Sequence, residues 1–242
     1  MPLLEADSIG KSYGSRRVLA SASLRASAGS VTALVGANGA GKSTLLAVAA
    51  GWRRADTGIV RFDGVSYLSA RLATLAGCGM FYLPDRAILS PGITLRRQLD
   101  AIRRRFGSAA SAEAVAGDLG LSECLDALPP RLSGGEMRRA ELALAVIRRP
   151  KCLLADEPYR GISPLDAELI TAVFRRLAAG GCAVVASGHE VGVLFESADR
   201  VVWCADGTTA EYASPALAQA DWRFQQGYLG PETRASQPAR VP

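Results

Sequence analysis

Residues Gly36-Ala-Asn-Gly-Ala-Gly-Lys-Ser-Thr44 set a glycine, four free positions, and then glycine, lysine and serine. That spacing suits phosphate chemistry. Gly36, Gly39 and Gly41 allow a tight turn whose backbone N–H groups point inward at an anion. Ala37, Asn38 and Ala40 fill the turn, Lys42 can reach the β- and γ-phosphates of a nucleoside triphosphate, and the Ser43 hydroxyl can hold Mg²⁺, with Thr44 beside it. An acidic pair, Asp156-Glu157, follows the apolar run Cys152-Leu-Leu-Ala155. Phosphoryl transfer needs one carboxylate for the metal and another to orient or deprotonate the attacking water, so Asp156 takes the first role and Glu157 the second. His189, the single histidine, stands just past Cys182-Ala-Val-Val-Ala186, where an imidazole can bridge phosphate oxygens and water.

The surrounding elements must carry these groups to one place. Val31-Thr-Ala-Leu-Val35 reads as a short apolar strand, and Lys42 to Ala50 as a helix stopped at Gly51, so the loop opens onto a helix N-terminus that favours anions. Leu3 to Ala33 reads as short strands with turns at Gly10, Tyr13-Gly14 and Ala28-Gly29. Tyr13 is either an adenine-stacking ring or a strand-edge tyrosine. Gly79-Met-Phe-Tyr-Leu83 is a further strand, ended by Pro84 and Asp85. From Thr94 to Ala127 the texture is helical: Leu95, Leu99, Ile102 and Phe106 share a face, with Arg96, Arg97 and Arg103 to Arg105 forming a solvated basic face or a docking surface. Helices are expected to about Arg148 and from Pro164 to Ala179. Alternating strands and helices imply a mainly parallel sheet with ligands at strand carboxyl ends.

Length and composition agree. The 242 residues suffice for one large α/β core, and 49% hydrophobic with 21% charged residues describe a globular chain. No apolar run approaches the ~20 residues needed to cross a bilayer. The opening MPLLEADSIGK lacks a basic-then-apolar leader, so no secretory signal is expected. Five scattered cysteines without a CxxC pair exclude the usual zinc patterns and read as reduced, mostly buried thiols. A formal charge of +5 permits contact with anionic surfaces without arguing for it.

Leu132-Ser-Gly-Gly-Glu136 is a second anion-seeking turn at a helix start, although Ser133 and Glu136 also fit a capping box. One phosphate loop already serves one triphosphate, so a second turn far along the chain suggests a site completed by another subunit. With this motif the chain resembles the nucleotide-binding subunits of ABC transporters over nearly its whole length, in the order Tyr13, GANGAGKST, LSGGE, CLLADE and His189. The resemblance implies an α/β P-loop NTPase fold: a RecA-like core, an antiparallel β-subdomain and a helical subdomain at about 86–150. It implies one cassette over 1–229, and the polar, proline-bearing stretch from Gly230 to Pro242 is expected to be frayed. It implies ATP and Mg²⁺ as cofactors and a head-to-tail dimer, homomeric or with another cassette. In that dimer Ser133, Gly134, Gly135 and Glu136 face the opposite protomer's ATP. Transmembrane permease subunits would dock it to the inner face of the membrane from the cytoplasm, and no nucleic acid is expected.

Within the family, LSGGEMRRAEL, DEPYRGISP and FQQGYLG look most like lipopolysaccharide-export ATPases, and then branched-chain amino-acid importers. Two positions depart. Asp85 stands where the family has glutamine; its oxygen is still a hard metal donor, but it adds negative charge beside Asp156 and Glu157. Ser163 stands where the family has an aspartate that makes cross-dimer contacts. Competing readings are a soluble ABC ATPase acting on DNA or ribosomes, which would need a long coiled coil or a second cassette, and an ATP-binding module without turnover.

Overall fold

A computed structural model describes residues 1–229; the tail expected from 230 onward lies outside the described residues. Strands β1 (Leu4–Tyr13) and β2 (Arg16–Ala26) open the chain, followed by β3 (Val31–Val35) and helix α1 (Lys42–Ala49). Then come β4 (Thr57–Phe62), β5 (Val65–Tyr67), α2 (Leu72–Gly77) and β6 (Met80–Leu83). Between β6 and the next strand the chain is helical, with α3 (Leu95–Phe106), α4 (Ala112–Asp118) and α5 (Gly134–Arg148). The second half runs β7 (Cys152–Ala155), α6 (Pro164–Ala179), β8 (Ala183–Gly188), α7 (Val191–Ser197), β9 (Arg200–Ala205) and β10 (Thr208–Tyr212). Short helices α8 (Pro215–Ala220) and α9 (Trp222–Phe224) and a π-turn at Gln225–Leu229 finish it.

Among the described residues the strands form one sheet in the order β5-β4-β1-β2-β10-β9-β3-β8-β7-β6. Strands β9, β3, β8, β7 and β6 are parallel, whereas β5, β4, β1 and β2 form an antiparallel arm. Every residue of β3, β7 and β8 is buried, as expected of parallel strands covered on both faces. Alternation divides them between two cores. Val31, Ala33, Val35, Leu153 and Val184 face the layer of α5, α6 and α7, while Leu34, Leu154 and Val185 face α1 and the antiparallel arm.

The N-terminal strands differ from the expected short ones. Gly10 is no turn: it lies inside the ten-residue β1, where the pairing to both neighbours shifts register. A Cβ there would overlap Thr57 Oγ1, so the glycine admits the neighbouring strand closely, as at a bulge. The helical stretch from Thr94 is likewise broken, by left-handed Gly107 (φ 66°) and then by the Ser111 cap of α4. Arg96 is not part of a free basic face. It pairs with Asp126 at 2.8 Å and with Glu113, while Arg97, Arg104 and Arg105 stay exposed. Of the five cysteines, Cys152, Cys182 and Cys204 are buried, Cys124 is half-buried and Cys78 is exposed.

Candidate active site

The loop from Gly36 to Gly41 joins the carboxyl end of β3 to α1, which the sheet order places beside the ends of β8 and β7. Two of its glycines are required by their surroundings. A side chain at Gly36 would strike the Cys204 carbonyl, and one at Gly41 (φ 106°) would lie 2.6 Å from Leu19. Lys42, 5% exposed, folds back over the loop and donates to the carbonyls of Gly36 at 2.7 Å and Ala37 at 3.2 Å. Its ammonium is also 3.7 Å from Glu157 Oε1.

Across the loop, β7 delivers Asp156, which is buried. Its Oδ1 accepts from the Ser43 hydroxyl at 3.0 Å and from the Ser187 hydroxyl at 2.6 Å. Burial pushes the carboxyl above the usual aspartate range, and the two hydroxyls pull it partly back. A cation beside Asp156 would therefore be favoured. Ser43 and Asp156 together present hard oxygens, and Mg²⁺ commonly takes one or two carboxylates and completes its shell with phosphates and water. The donor set fits that ion, although among the described residues no cluster of three His, Cys, Asp or Glu side chains exists that could hold a metal without such help.

Glu157 adopts a left-handed backbone (φ 48°), uncommon for a residue with a long side chain. Its N–H donates to Ser187 Oγ at 3.1 Å, and this holds the turn. The result aims the carboxylate into the cleft, with Oε2 3.2 Å from His189 Nδ1. Strand β8 runs to Gly188, two residues past the expected end, so His189 sits immediately beyond it. Its carbonyl accepts from the Tyr228 hydroxyl at 3.2 Å. Lys42, Ser43, Thr44, Asp85, Glu157 and His189 line one cavity of about 720 Å³, together with Asn38, Gly39 and Gly41.

Tyr13 ends β1 beside a neighbouring cavity of about 240 Å³, which shares Ser43, Thr44 and Asp85 with the first. The ring is 44% exposed, with the Lys11 ammonium 5.7 Å from its centre. Ala37 and Ala40 line a third cavity, on the far side of the loop beside Cys204 and Tyr228. Residues Ser133 to Glu136 line none of these. They cap α5: Ser133 Oγ accepts from the Glu136 N–H at 3.3 Å, and Glu136 Oε2 accepts from the Ser133 N–H at 2.8 Å. The capping box expected of this turn is present, and the Ser133 hydroxyl, which accepts in the cap, keeps its own proton to donate. Gly135 is required here, since a Cβ would lie 2.9 Å from the Asp166 Cγ and overlap the carboxylate. Asp166 is pinned by Arg139 at 2.8 Å and by the Ser163 hydroxyl at 2.7 Å. Ser163 itself caps α6.

Two residues were given no role in the sequence reading. Ser187 joins Asp156 to the Glu157 backbone; the only hint was a hydroxyl closing an apolar strand. Arg138, buried in α5, donates to the carbonyls of Asp156 at 2.7 Å, Pro84 at 3.0 Å and Pro158 at 3.4 Å, and pairs with Glu141 at 2.9 Å. Glu141 in turn accepts from the Ile88 N–H at 3.0 Å. Arg138 thus ties α5, the helix behind the Ser133–Gly135 turn, to the ends of β6 and β7.

A phosphate loop, a metal-suited carboxylate, an aimed glutamate and a histidine at adjacent strand ends define an ATP-hydrolysing cassette. The chain belongs to the ABC transporter family, whose sequence model matches residues 19–160, and it is the ATP-binding subunit of such a transporter. It is similar to the lipopolysaccharide export system ATP-binding protein LptB of Haemophilus influenzae, with 30% identity over 95% of this chain and 98% of the relative. A probable ABC transporter ATP-binding protein of Azorhizobium caulinodans shares 31%, over 96% of this chain and 84% of its own length. Among solved structures, an ABC-transporter cassette in its ADP conformation aligns with a TM-score of 0.80 and 25% identity, covering 95% of this chain and 99% of the other. Among the described residues no helix is long and apolar enough to cross a membrane.

Proposed function

We propose that two copies of this chain, or this chain and a second cassette, close head to tail over ATP and drive transport through separate transmembrane subunits at the inner face of the membrane. The observation that carries this reading is the separation of the two anion-seeking turns. Gly36–Thr44 borders the cavity of Lys42, Glu157 and His189, while the Ser133–Gly135 turn lies outside it. Another protomer's turn can supply the missing wall. The near full-length alignment with the Haemophilus lipopolysaccharide-export subunit supports a cassette that works with membrane subunits encoded as separate chains. Residues 86–150 read as the helical subdomain that carries the Ser133–Gly135 turn.

Lys42 exchanges the Gly36 and Ala37 carbonyls for phosphate oxygens, and loop N–H groups with the α1 N-terminus bind the rest of the triphosphate. Tyr13 stacks on adenine. Ser43 and Asp156 hold Mg²⁺, which when bound neutralises phosphate charge. Glu157, fixed between Lys42 and His189, orients water and takes its proton; His189 holds that carboxylate in place and bonds the γ-phosphate. Single-turnover hydrolysis and size measurement test this. Glu157→Gln is expected to bind ATP, to lose roughly 10²–10⁴-fold in rate, and to accumulate as an ATP-dependent dimer. Equal rates for the two proteins would remove Glu157 from its role, and a strictly monomeric ATP complex would remove the dimer.

A further inference from the structure

Asp85 and Glu157 line the cavity proposed as the triphosphate site, and Asp156 lines the adjoining cavity, which Asp85 also borders. Glu157 is flanked by Lys42 and His189, and Asp156 by two hydroxyls and the metal position. Asp85 has neither kind of support. It lies two residues past the end of β6 and is about half exposed. A bare carboxylate at this edge would repel the incoming phosphates.

Arg160 answers that charge. Its Nη1 lies 4.0 Å from Asp85 Oδ2, and among the described residues it has no other ion-pair partner. The turn that brings it there is built into the catalytic loop. Glu157 is left-handed, the Arg160 N–H donates to the Glu157 carbonyl at 3.2 Å, and Gly161 (φ 69°) reverses the chain. Both side chains line the same cavity as Lys42, Ser43 and His189.

We propose that Arg160 is the charge partner of Asp85, and that the neutral pair, rather than Asp85 alone, faces the triphosphate and its metal. The proposal rests on the nucleotide reading of this cavity. In the open, solvated site the pair holds little energy, as exposed ion pairs generally do. It gains weight when phosphates and a second protomer displace water, because charge interactions strengthen as the local dielectric falls. Arg160 acts through Asp85 and is a positioning residue.

The test is a double-mutant cycle on ATP affinity and its Mg²⁺ dependence, measured by calorimetry in the full chain carrying Glu157→Gln so that ATP is not consumed. Arg160→Ala is expected to weaken ATP binding about tenfold at low salt, the size expected of one uncompensated charge several ångströms from the phosphates. It should also raise the Mg²⁺ concentration needed. Adding Asp85→Gln should bring both quantities back to within about twofold of the Glu157→Gln protein. Arg160→Lys, which keeps the charge, should behave nearly as arginine does. If Arg160→Ala costs the same with aspartate or with glutamine at 85, arginine acts on the nucleotide directly and the pair is refuted. No effect of Arg160→Ala refutes it as well. Failure of the Glu157→Gln protein to bind ATP with Mg²⁺ would instead overturn the nucleotide reading beneath it.

Discussion

Arg138 offers the sharpest test of how this site is held. It is 9% exposed and Glu141 is 3% exposed, so the two form an ion pair removed from water. Replacing Arg138 with methionine fills much of the space but leaves the Glu141 carboxylate with only the Ile88 N–H as partner. It also orphans the carbonyls of Asp156 and Pro84, which now accept at 2.7 and 3.0 Å; the 3.4 Å contact to Pro158 is weak and adds little. Breaking one side of a buried pair costs about 3–5 kcal/mol, mostly from the charge left behind. For a chain of this size each kcal/mol moves Tm by roughly 2–4 °C, so Arg138→Met should melt about 6–20 °C lower. Glu141→Gln in the same chain removes the stranded charge and should recover roughly half of the loss. Thermal melts followed by circular dichroism, with ATPase rates at a temperature where each variant is folded, measure both consequences. Activity should fall as well, because Arg138 fixes the segments that end in Asp85 and Asp156. A loss below about 1 kcal/mol for Arg138→Met, or no rescue by Glu141→Gln, would refute the claim that this pair is buried and structural.

Three further outcomes are expected. Asp156→Asn keeps an oxygen for Ser43 and Ser187 but removes a buried charge, so the nucleotide-free protein should melt a few degrees higher near neutral pH while losing Mg²⁺-dependent ATP binding. Because the folded carboxyl sits above its ordinary value, the charged form costs stability above that raised pKa, and the cost fades as pH falls through it. The gain from asparagine should therefore shrink on acidification towards the ordinary carboxylate range, and a gain independent of pH between neutral and acid would count against burial as its cause. Gly135→Ala should drive the Asp166 carboxylate off Arg139 and cost about 1–3 kcal/mol in urea unfolding, and a cost well below about 1 kcal/mol would count against the close approach. Tyr13→Ala should weaken ATP binding about two- to tenfold, as expected for one aromatic stacking contact, and leave folding stability nearly unchanged because the ring is exposed; equal affinity would return Tyr13 to a strand-edge role.

Much of the site was legible because its signals are local. The phosphate loop, the capping box at Ser133 and Glu136, and the limits of α6 each follow from steric and hydrogen-bonding rules acting within a few residues, and α6 spans Pro164–Ala179 as its pattern predicts. Strand ends at Asp156 and near His189 were readable from apolar runs that stop at polar residues. Gly10 was misread for the same reason: a glycine followed by Lys11 and Ser12 looks like a turn, and only the approach of Thr57 from β4 shows that it lies inside a strand.

By itself the sequence determined the chemistry on offer: which groups bind phosphate, which carry charge, and which end an element, since each depends on its chain neighbours. The tertiary structure decided which of them meet. Ser43 and Asp156, 113 residues apart, share a hydrogen bond, as do Arg138 and Pro84, 54 apart. Arg160 faces Asp85 because β6 and β7 are neighbours in the sheet and each hands its following segment to the same cavity. Strand order is set by the burial of two whole cores, a sum over the entire chain, and no short stretch of sequence carries it.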